Sequence, residues 1–309
     1  MMAHTEFTPA YLRMAPQELA ARADALRELM RSCRLCPRAC GVNRLAGEMG
    51  ACRTGAEPVV SSYGPHFGEE RPLVGRGGSG TIFLTHCNLR CVFCQNCDIS
   101  QLGEGCVTSR ERLSDMMLEL QRQGCHNINW VTPTHQVSML VDGLRIAARD
   151  GLRVPIVYNS GGYESVEALR LLDGILDIYM PDAKYGDNAP GAELSGAPDY
   201  WDRCREALAE MHRQVGDLQT DDRGIATRGL LVRHLVLPED RAKTAVVMGY
   251  LAGLSADTYV NVMAQYRPEH RAREIPGMAR PLTTVEYRTA VQAAISAGLH
   301  RLDDRWAAR

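Results

Sequence analysis

From residue 81 onward, six short β-branched or apolar runs alternate with helical patterns, and this alternation limits the fold more than any other feature. The runs are Thr81–Thr85, Asn127–Val131, Val154–Asn159, Leu176–Met180, Leu230–Leu237 and Tyr259–Met263. Helical patterns fall between them near Ser109–Gln123, Gln136–Ala148, Glu164–Leu172, Tyr200–Val215 and Asp240–Leu254, with a last near Val285–Ala297. Gly124 and Gly151 stand where helix C-terminal glycines belong. Neighbouring parallel strands need a crossover between them, so the alternation predicts an α/β chain with a parallel sheet under helices. Six units are too few for a closed eight-stranded barrel. A curved, incomplete barrel and an open doubly wound sheet both fit.

The first part of the chain reads differently. Pro16–Arg31 predicts a helix with Leu19, Leu26, Leu29 and Met30 on one stripe. Residues 33–80 are rich in Gly, Pro, Cys and Arg without clear periodicity, and Gly75-Arg76-Gly77-Gly78-Ser79-Gly80 closes them as a loop. The expected organisation is an N-terminal helix and cysteine-rich extension over 1–74, then an α/β domain with a C-terminal helix over 75–309.

Composition excludes several classes. With 45% apolar residues the chain can bury a core. A formal charge of −2 supplies no basic field for nucleic acid or an anionic membrane. No apolar run approaches the roughly 20 residues that a spanning helix needs. Met1-Met2-Ala3-His4-Thr5-Glu6 carries no apolar export region, so a cytoplasmic protein is expected.

There are eleven cysteines, eight of them crowded into positions 33–52 and 87–97. In a cytoplasmic chain such crowding points to metal or redox chemistry rather than disulfides. Cys87-Asn88-Leu89-Arg90-Cys91-Val92-Phe93-Cys94 follows the first predicted strand, with spacing C-x3-C-x2-C. Three thiolates on one short loop suit three irons of a cubane cluster, which ordinarily takes four cysteines. The shortfall leaves one iron open for a ligand. A zinc ion with His86 or Cys97 as fourth ligand is the alternative.

The triplet, with Phe93 as the aromatic before its third cysteine, closely resembles that of the radical S-adenosylmethionine (SAM) enzymes. Further segments resemble an uncharacterised branch of pyruvate formate-lyase activating enzyme homologues. They are Gly80-Thr81-Ile82-Phe83, Cys94-Gln95-Asn96, Val131-Thr132-Pro133-Thr134-His135, Met180-Pro181-Asp182-Ala183-Lys184-Tyr185, Val232-Arg233-His234-Leu235-Val236-Leu237-Pro238 and Met263-Ala264-Gln265-Tyr266-Arg267-Pro268. The resemblance covers 75–268 and implies a partial (β/α)6 barrel of the TIM type. It further implies a [4Fe-4S] cluster on Cys87, Cys91 and Cys94, and SAM chelating the open iron. One electron then cleaves the sulfonium to a 5′-deoxyadenosyl radical that abstracts hydrogen from a substrate. An external electron donor of the flavodoxin or ferredoxin type, and a protein or peptide substrate such as a glycyl-radical-enzyme glycine, belong to the same implication.

The Asp-x-Lys that contacts SAM in the activating enzymes maps to Asp182 and Lys184, and the arginine of the fifth strand to Arg233. Phe93, Asn96, Thr134, His135, Asn159, Ser160 and Gln265 complete the expected cofactor contacts. Where the family has Gly-Gly-Glu, this chain has Thr132-Pro133-Thr134-His135, which leaves the partner of the SAM amino group open, with backbone carbonyls there able to serve. Lys184 and Lys243 are the only lysines among 35 basic residues. A compact ammonium at 184 is therefore no incidental choice, although a plain Asp182–Lys184 ion pair is the competing reading. Asn159-Ser160-Gly161-Gly162 reads equally as a turn, and His135 and His234 equally as structural histidines. Gln265, Tyr266, Arg267 and the loop Gly186–Pro198 are substrate-side candidates.

Cys33-x2-Cys36-x3-Cys40-x11-Cys52 precedes the α/β domain, with Gly41, Gly47 and Gly50 between. Four thiolates in twenty residues suit a structural zinc or an auxiliary iron–sulfur cluster; four unligated cysteines are the alternative. Cys106, Cys125 and Cys204 read as small buried hydrophobes, and Cys97 as idle, a redox partner or an extra ligand. The rival functions are a non-catalytic cysteine-ligated metal-binding or redox-sensing interaction protein, and a SAM-dependent methyl or alkyl transferase.

Overall fold

The computed structural model describes residues 7–303. Residues 1–6, on which the expectation of no export signal partly rests, lie outside the described residues. Nine strands form one mixed sheet: β1 (Val59–His66), β2 (Ser79–Leu84), β3 (Cys106–Val107), β4 (Ile128–Val131), β5 (Ile156–Ser160), β6 (Ile178–Pro181), β7 (Gln219–Thr220), β8 (Ala226–Leu235) and β9 (Tyr259–Met263). All six predicted runs are strands. They lie side by side in chain order as β2, β4, β5, β6, β8 and β9, and every pair among them is parallel. Among the described residues no ladder joins β9 to β2, so the sheet does not close.

Register assigns the two faces. Thr81, Asn129, Val157 and Ile178 are paired across four strands, and Phe83, Val131, Asn159 and Met180 form the next row on that face. The alternate residues Ile82, Trp130, Tyr158 and Tyr179 point the other way and are buried. They belong to the main core, as do Leu113 and Met117 of helix Arg110–Arg122, Leu140 and Leu144 of helix Val137–Arg149, and Leu208 and Met211 of helix Tyr200–Val215. The first face has a smaller core of Val157, Ile178, Met180 and Leu231, packed with Leu73 of the short helix Arg71–Val74. The Pro16–Glu28 helix ends three residues earlier than expected, but Leu19, Leu26, Leu29 and Met30 are all buried.

Three expectations need correction. Residues 33–80 are not all irregular: β1 lies there and pairs antiparallel with β2. Of its eight residues only Val60 is buried, so the strand is held by its ladder and leaves no apolar alternation to read. The sheet thus runs across the expected 74/75 boundary. The loop Gly186–Pro198 contains a helix, Asn188–Ser195, started by the Asp187 carboxylate accepting from Ala189 N–H and ended by left-handed Gly196. Cys106 is exposed on the two-residue edge strand β3, whereas Cys125 and Cys204 are buried as expected.

Candidate active site

The chain leaves β2 through Thr85 and His86, and His86 adopts φ 68°, a left-handed conformation rare for a side chain of that size. The turn delivers the Cys87–Cys94 loop to the C-terminal ends of the parallel strands. Helix Asn188–Ser195 fixes the loop from behind: its Ser195 and Leu194 carbonyls accept from Arg90 N–H at 3.0 Å and Val92 N–H at 2.8 Å. Asn88 Nδ2 donates to the Tyr163 carbonyl at 2.8 Å. Phe93 is buried, edge-on to Tyr185 at 6.5 Å and Tyr266 at 6.1 Å between ring centres.

Each sulfur of the triplet has its own polar neighbour. Leu89 N–H donates to Cys87 Sγ at 3.3 Å. Cys91 Sγ lies 3.0 Å from Ser195 Oγ, and Cys94 Sγ 3.1 Å from Ser100 Oγ. Burial pushes the Cys87 thiol up to about 12. Burial also raises Cys91, opposed by the nearby Lys184 ammonium. Burial thus favours the neutral thiol at Cys87 and Cys91, and a bound cation is what would ionise them.

The three cysteines line one cleft of about 260 Å³ together with Phe93, Asn96, Asn159, Ser160, Asp182, Lys184, Arg233 and Gln265. Asp182 is the hub of its charge. It accepts from Lys184 Nζ at 2.5 Å and from Arg233 Nε at 2.8 Å. Arg233 also donates to Asn159 Oδ1 at 2.7 Å and approaches Glu69 at 3.7 Å. Burial works to raise the Asp182 carboxyl, but Arg233 and Lys184 outweigh it and hold the group below the usual carboxylate range. Lys184 is likewise disfavoured by burial and held charged by Asp182. The pair is 15–17% exposed at each side chain, so the surface ion-pair reading is replaced by a largely buried triad. Gln265 presents its Oε1 with no hydrogen-bond partner.

Two expected contacts are not brought into the cleft. Thr134 is buried behind it and donates to Glu164 Oε1 at 2.7 Å. His135 is buried with Nε2 2.9 Å from the Thr85 carbonyl, and burial lowers it to about 3. His234 faces away from the cleft, held by the Ala183 carbonyl and Thr244, with burial lowering it to about 4. Tyr266 donates to the Met278 carbonyl and supports Phe93. Cys97 has Asp98 as its polar neighbour and does not line the cleft.

Residues that spacing did not single out are Ser100, Ser195 and Glu69. Thr132 lines the cleft at φ 63° just past β4. Only the strained positions carry a local hint, since strain collects where a site over-determines the backbone. Gly162 is required by close approach: at φ +76° a Cβ there would lie 2.2 Å from the Asp182 carbonyl oxygen.

Arg44, whose Nη1 lies 3.9 Å from Cys33 Sγ, donates to the His135 carbonyl in the loop after β4. Cys33, Cys36 and Cys52 are buried and Cys40 is exposed. Among the described residues, no three His, Cys, Asp or Glu side chains converge as a group able to hold a single metal ion. None of the eleven cysteines is in a disulfide. No helix among the described residues is long and apolar enough to cross a membrane.

No protein-family model matches the chain. It is 32% identical over 288 residues to uncharacterized protein MJ0674 of Methanocaldococcus jannaschii, covering 90% of this chain and 79% of the relative. Identity at that level over nearly the whole length is shared descent, and the chain belongs to the same family as MJ0674.

Proposed function

We propose that this protein is a radical SAM iron–sulfur enzyme whose six parallel strands form a partial (β/α)6 barrel. The observation that carries the reading is that three cysteine thiols, Cys91 buried and Cys87 and Cys94 half-buried, and the Asp182–Lys184–Arg233 triad line one cleft at the strand ends. The donor set fits the group: Cys87, Cys91 and Cys94 would hold a [4Fe-4S] cluster, which when bound supplies an open iron for SAM and the electron that cleaves it.

The chain's own residues do the rest. The backbone N–H of Leu89 and the hydroxyls of Ser195 and Ser100 offer hydrogen bonds to the three sulfurs, the usual way a protein tunes such a site. Lys184 and Arg233 offer cationic contact to a carboxylate, and Asp182 holds both in place. Gln265 Oε1, after β9, lines the cleft without a hydrogen-bond partner and is an acceptor left for the ligand. Phe93, braced by Tyr185 and Tyr266, walls the cleft against water.

The substrate in this reading is a carbon–hydrogen bond brought to the cleft mouth, with a glycine of a partner glycyl-radical enzyme suggested by the resemblance. An electron donor of the flavodoxin or ferredoxin type completes the system. The test is anaerobic purification and metal analysis. About four irons per chain assignable to the triplet, with an EPR signal altered by SAM, support the enzyme. Zinc alone, with no response to SAM, favours a metal-binding interaction protein.

A further inference from the structure

The loop that carries the triplet has arginines over it. Arg90 lies between Cys87 and Cys91, one peptide unit from Cys91, so the two Cα atoms are about 3.8 Å apart. Its backbone N–H donates to the Ser195 carbonyl at 3.0 Å, and Arg38 Nη2 reaches the same oxygen at 3.5 Å. Arg38 also donates from Nη1 to the Gly196 carbonyl and from Nε to the Asn88 carbonyl, the latter at 2.9 Å. On its other side, Arg90 Nη2 donates to the Ala51 carbonyl at 2.5 Å, two residues before Arg53. Arg53 is exposed, and Arg38 and Arg90 are half-exposed.

Every acceptor in this group is neutral: three carbonyls for Arg38, and the Ala51 carbonyl with Gln101 Oε1 at 3.2 Å for Arg90. Among the described residues none of the three arginines forms an ion pair, whereas Arg22, Arg34, Arg112, Arg203 and Arg213 each rest on a carboxylate. Burial, then Arg53 and Arg38, disfavour the Arg90 charge. Like charges held together repel, and an anionic partner relieves that repulsion. Of the acids next along the chain, Glu48 accepts from the Asn43 N–H at 2.7 Å and Asp98 lies 3.6 Å from Cys97 Sγ, while Glu57 and Glu104 are exposed. Two large apolar side chains flank the cations. Met49, two residues before Ala51, is 64% exposed, and Leu102, next to Gln101, is 71% exposed. Arginine and methionine are among the residue types enriched where proteins meet.

We infer that Arg38, Arg53 and Arg90, with Met49 and Leu102, form the docking surface for an acidic electron-donor protein. The inference rests on the radical SAM reading and names the face through which that site receives its electron. In the step, the donor is oxidised by one electron and a cluster on the triplet is reduced by one; no bond forms or breaks. The surface covers the loop that holds Cys87 and Cys91, so a docked donor stands over the sulfurs. None of the five residues lines the cleft, which stays free for SAM and substrate. Opposite charge steers such partners together, and salt screens it. An acidic protein fits better than nucleic acid, because the chain as a whole carries −2 and only this patch is cationic and unpaired.

The test titrates the full chain with an acidic flavodoxin in its oxidised form, so that calorimetry reads binding alone. The unsubstituted chain should bind it, and about tenfold more weakly when salt rises from about 50 to about 500 mM. R53E should weaken binding at least about fivefold, and R53K should keep it, because the charge is what matters. The Arg53 side chain makes no hydrogen bond or ion pair among the described residues, so reversing it leaves the fold intact. With reduced flavodoxin as donor, R53E should yield less 5′-deoxyadenosine than the unsubstituted chain. With dithionite, which needs no protein contact, the two should yield the same. No flavodoxin binding, or binding that neither salt nor R53E alters, overturns the docking surface; so does R53E-sensitive binding of duplex DNA in its place. A chain that cleaves SAM with dithionite but ignores flavodoxin loses only the docking surface. One that binds flavodoxin through Arg53 but never cleaves SAM keeps the surface and loses the radical SAM reading.

Discussion

Asp182 and Arg233 meet as bridge partners past the paired ends of β6 and β8, and the guanidinium Nε reaches the carboxylate at 2.8 Å. The contact joins two strand ends and presents the second face of the guanidinium to Asn159. Lys184 closes the other carboxylate oxygen. One acidic group therefore organises two cations beside the cysteine triplet.

Removing that carboxylate strands both cations. D182N is expected to destabilise the protein by about 3 kcal/mol, the usual cost of breaking a buried pair, and to weaken SAM binding at least tenfold. K184R should not preserve SAM affinity, because a planar fork does not replace a compact ammonium. Urea unfolding and calorimetric titration with SAM measure the two effects separately.

Glu164 gives a pH prediction with a definite sign. Burial raises its carboxyl to about 7, against hydrogen bonds from Thr134, Tyr158 and Ser160. A raised carboxylate stabilises below its unfolded value and loses that contribution as pH climbs through 7, here by up to roughly 3 kcal/mol. Asp177, also raised by burial to about 7, acts in the same direction. His135 and His234 are depressed and act oppositely, stabilising above about 6.5 and losing that contribution on acidification. The wild-type profile is thus partly cancelled. E164Q should remove the Glu164 part, so that its stability relative to wild type rises between pH 5 and pH 8. Denaturant midpoints at both pH values check this; an equal midpoint difference at both contradicts it.

Ser195 touches both Cys91 Sγ and the Tyr185 hydroxyl, the latter at 2.6 Å. With a cluster in place, S195A should retain iron but move the reduction potential downward, since a hydrogen bond to a ligating sulfur favours the reduced state. Redox titration monitored by EPR reads the shift, and an unchanged potential counts against the contact.

G162A should be more damaging than its chemistry suggests. The left-handed backbone and the 2.2 Å approach to the Asp182 carbonyl leave no room for a methyl group. A loss of at least about 2 kcal/mol is expected from strain and displacement together. Thermal unfolding of the variant measures it.

The sheet was legible because six buried parallel strands each carry enough apolar or β-branched residues to mark themselves, and helices separate them. β1 was not, because only Val60 of it is buried and its register comes from β2. The triplet, Asp182, Lys184 and Arg233 were legible as motifs just after strands, where a parallel sheet gathers its ligand face. Thr134 and His135 were misplaced because a motif gives position along the chain and not the direction of a side chain. Thr132 turns left-handed, and the residues after it run behind the cleft rather than into it. Ser195 and Ser100 were invisible because a serine beside a sulfur leaves no spacing to find.

The most direct measurement is reductive cleavage of SAM by anaerobically reconstituted protein with dithionite, read as 5′-deoxyadenosine by mass spectrometry. The account predicts that the nucleoside forms with the unsubstituted chain and disappears in C91A. Iron-loaded protein that yields none with any of several reductants, or a C91A variant that yields as much, would contradict it.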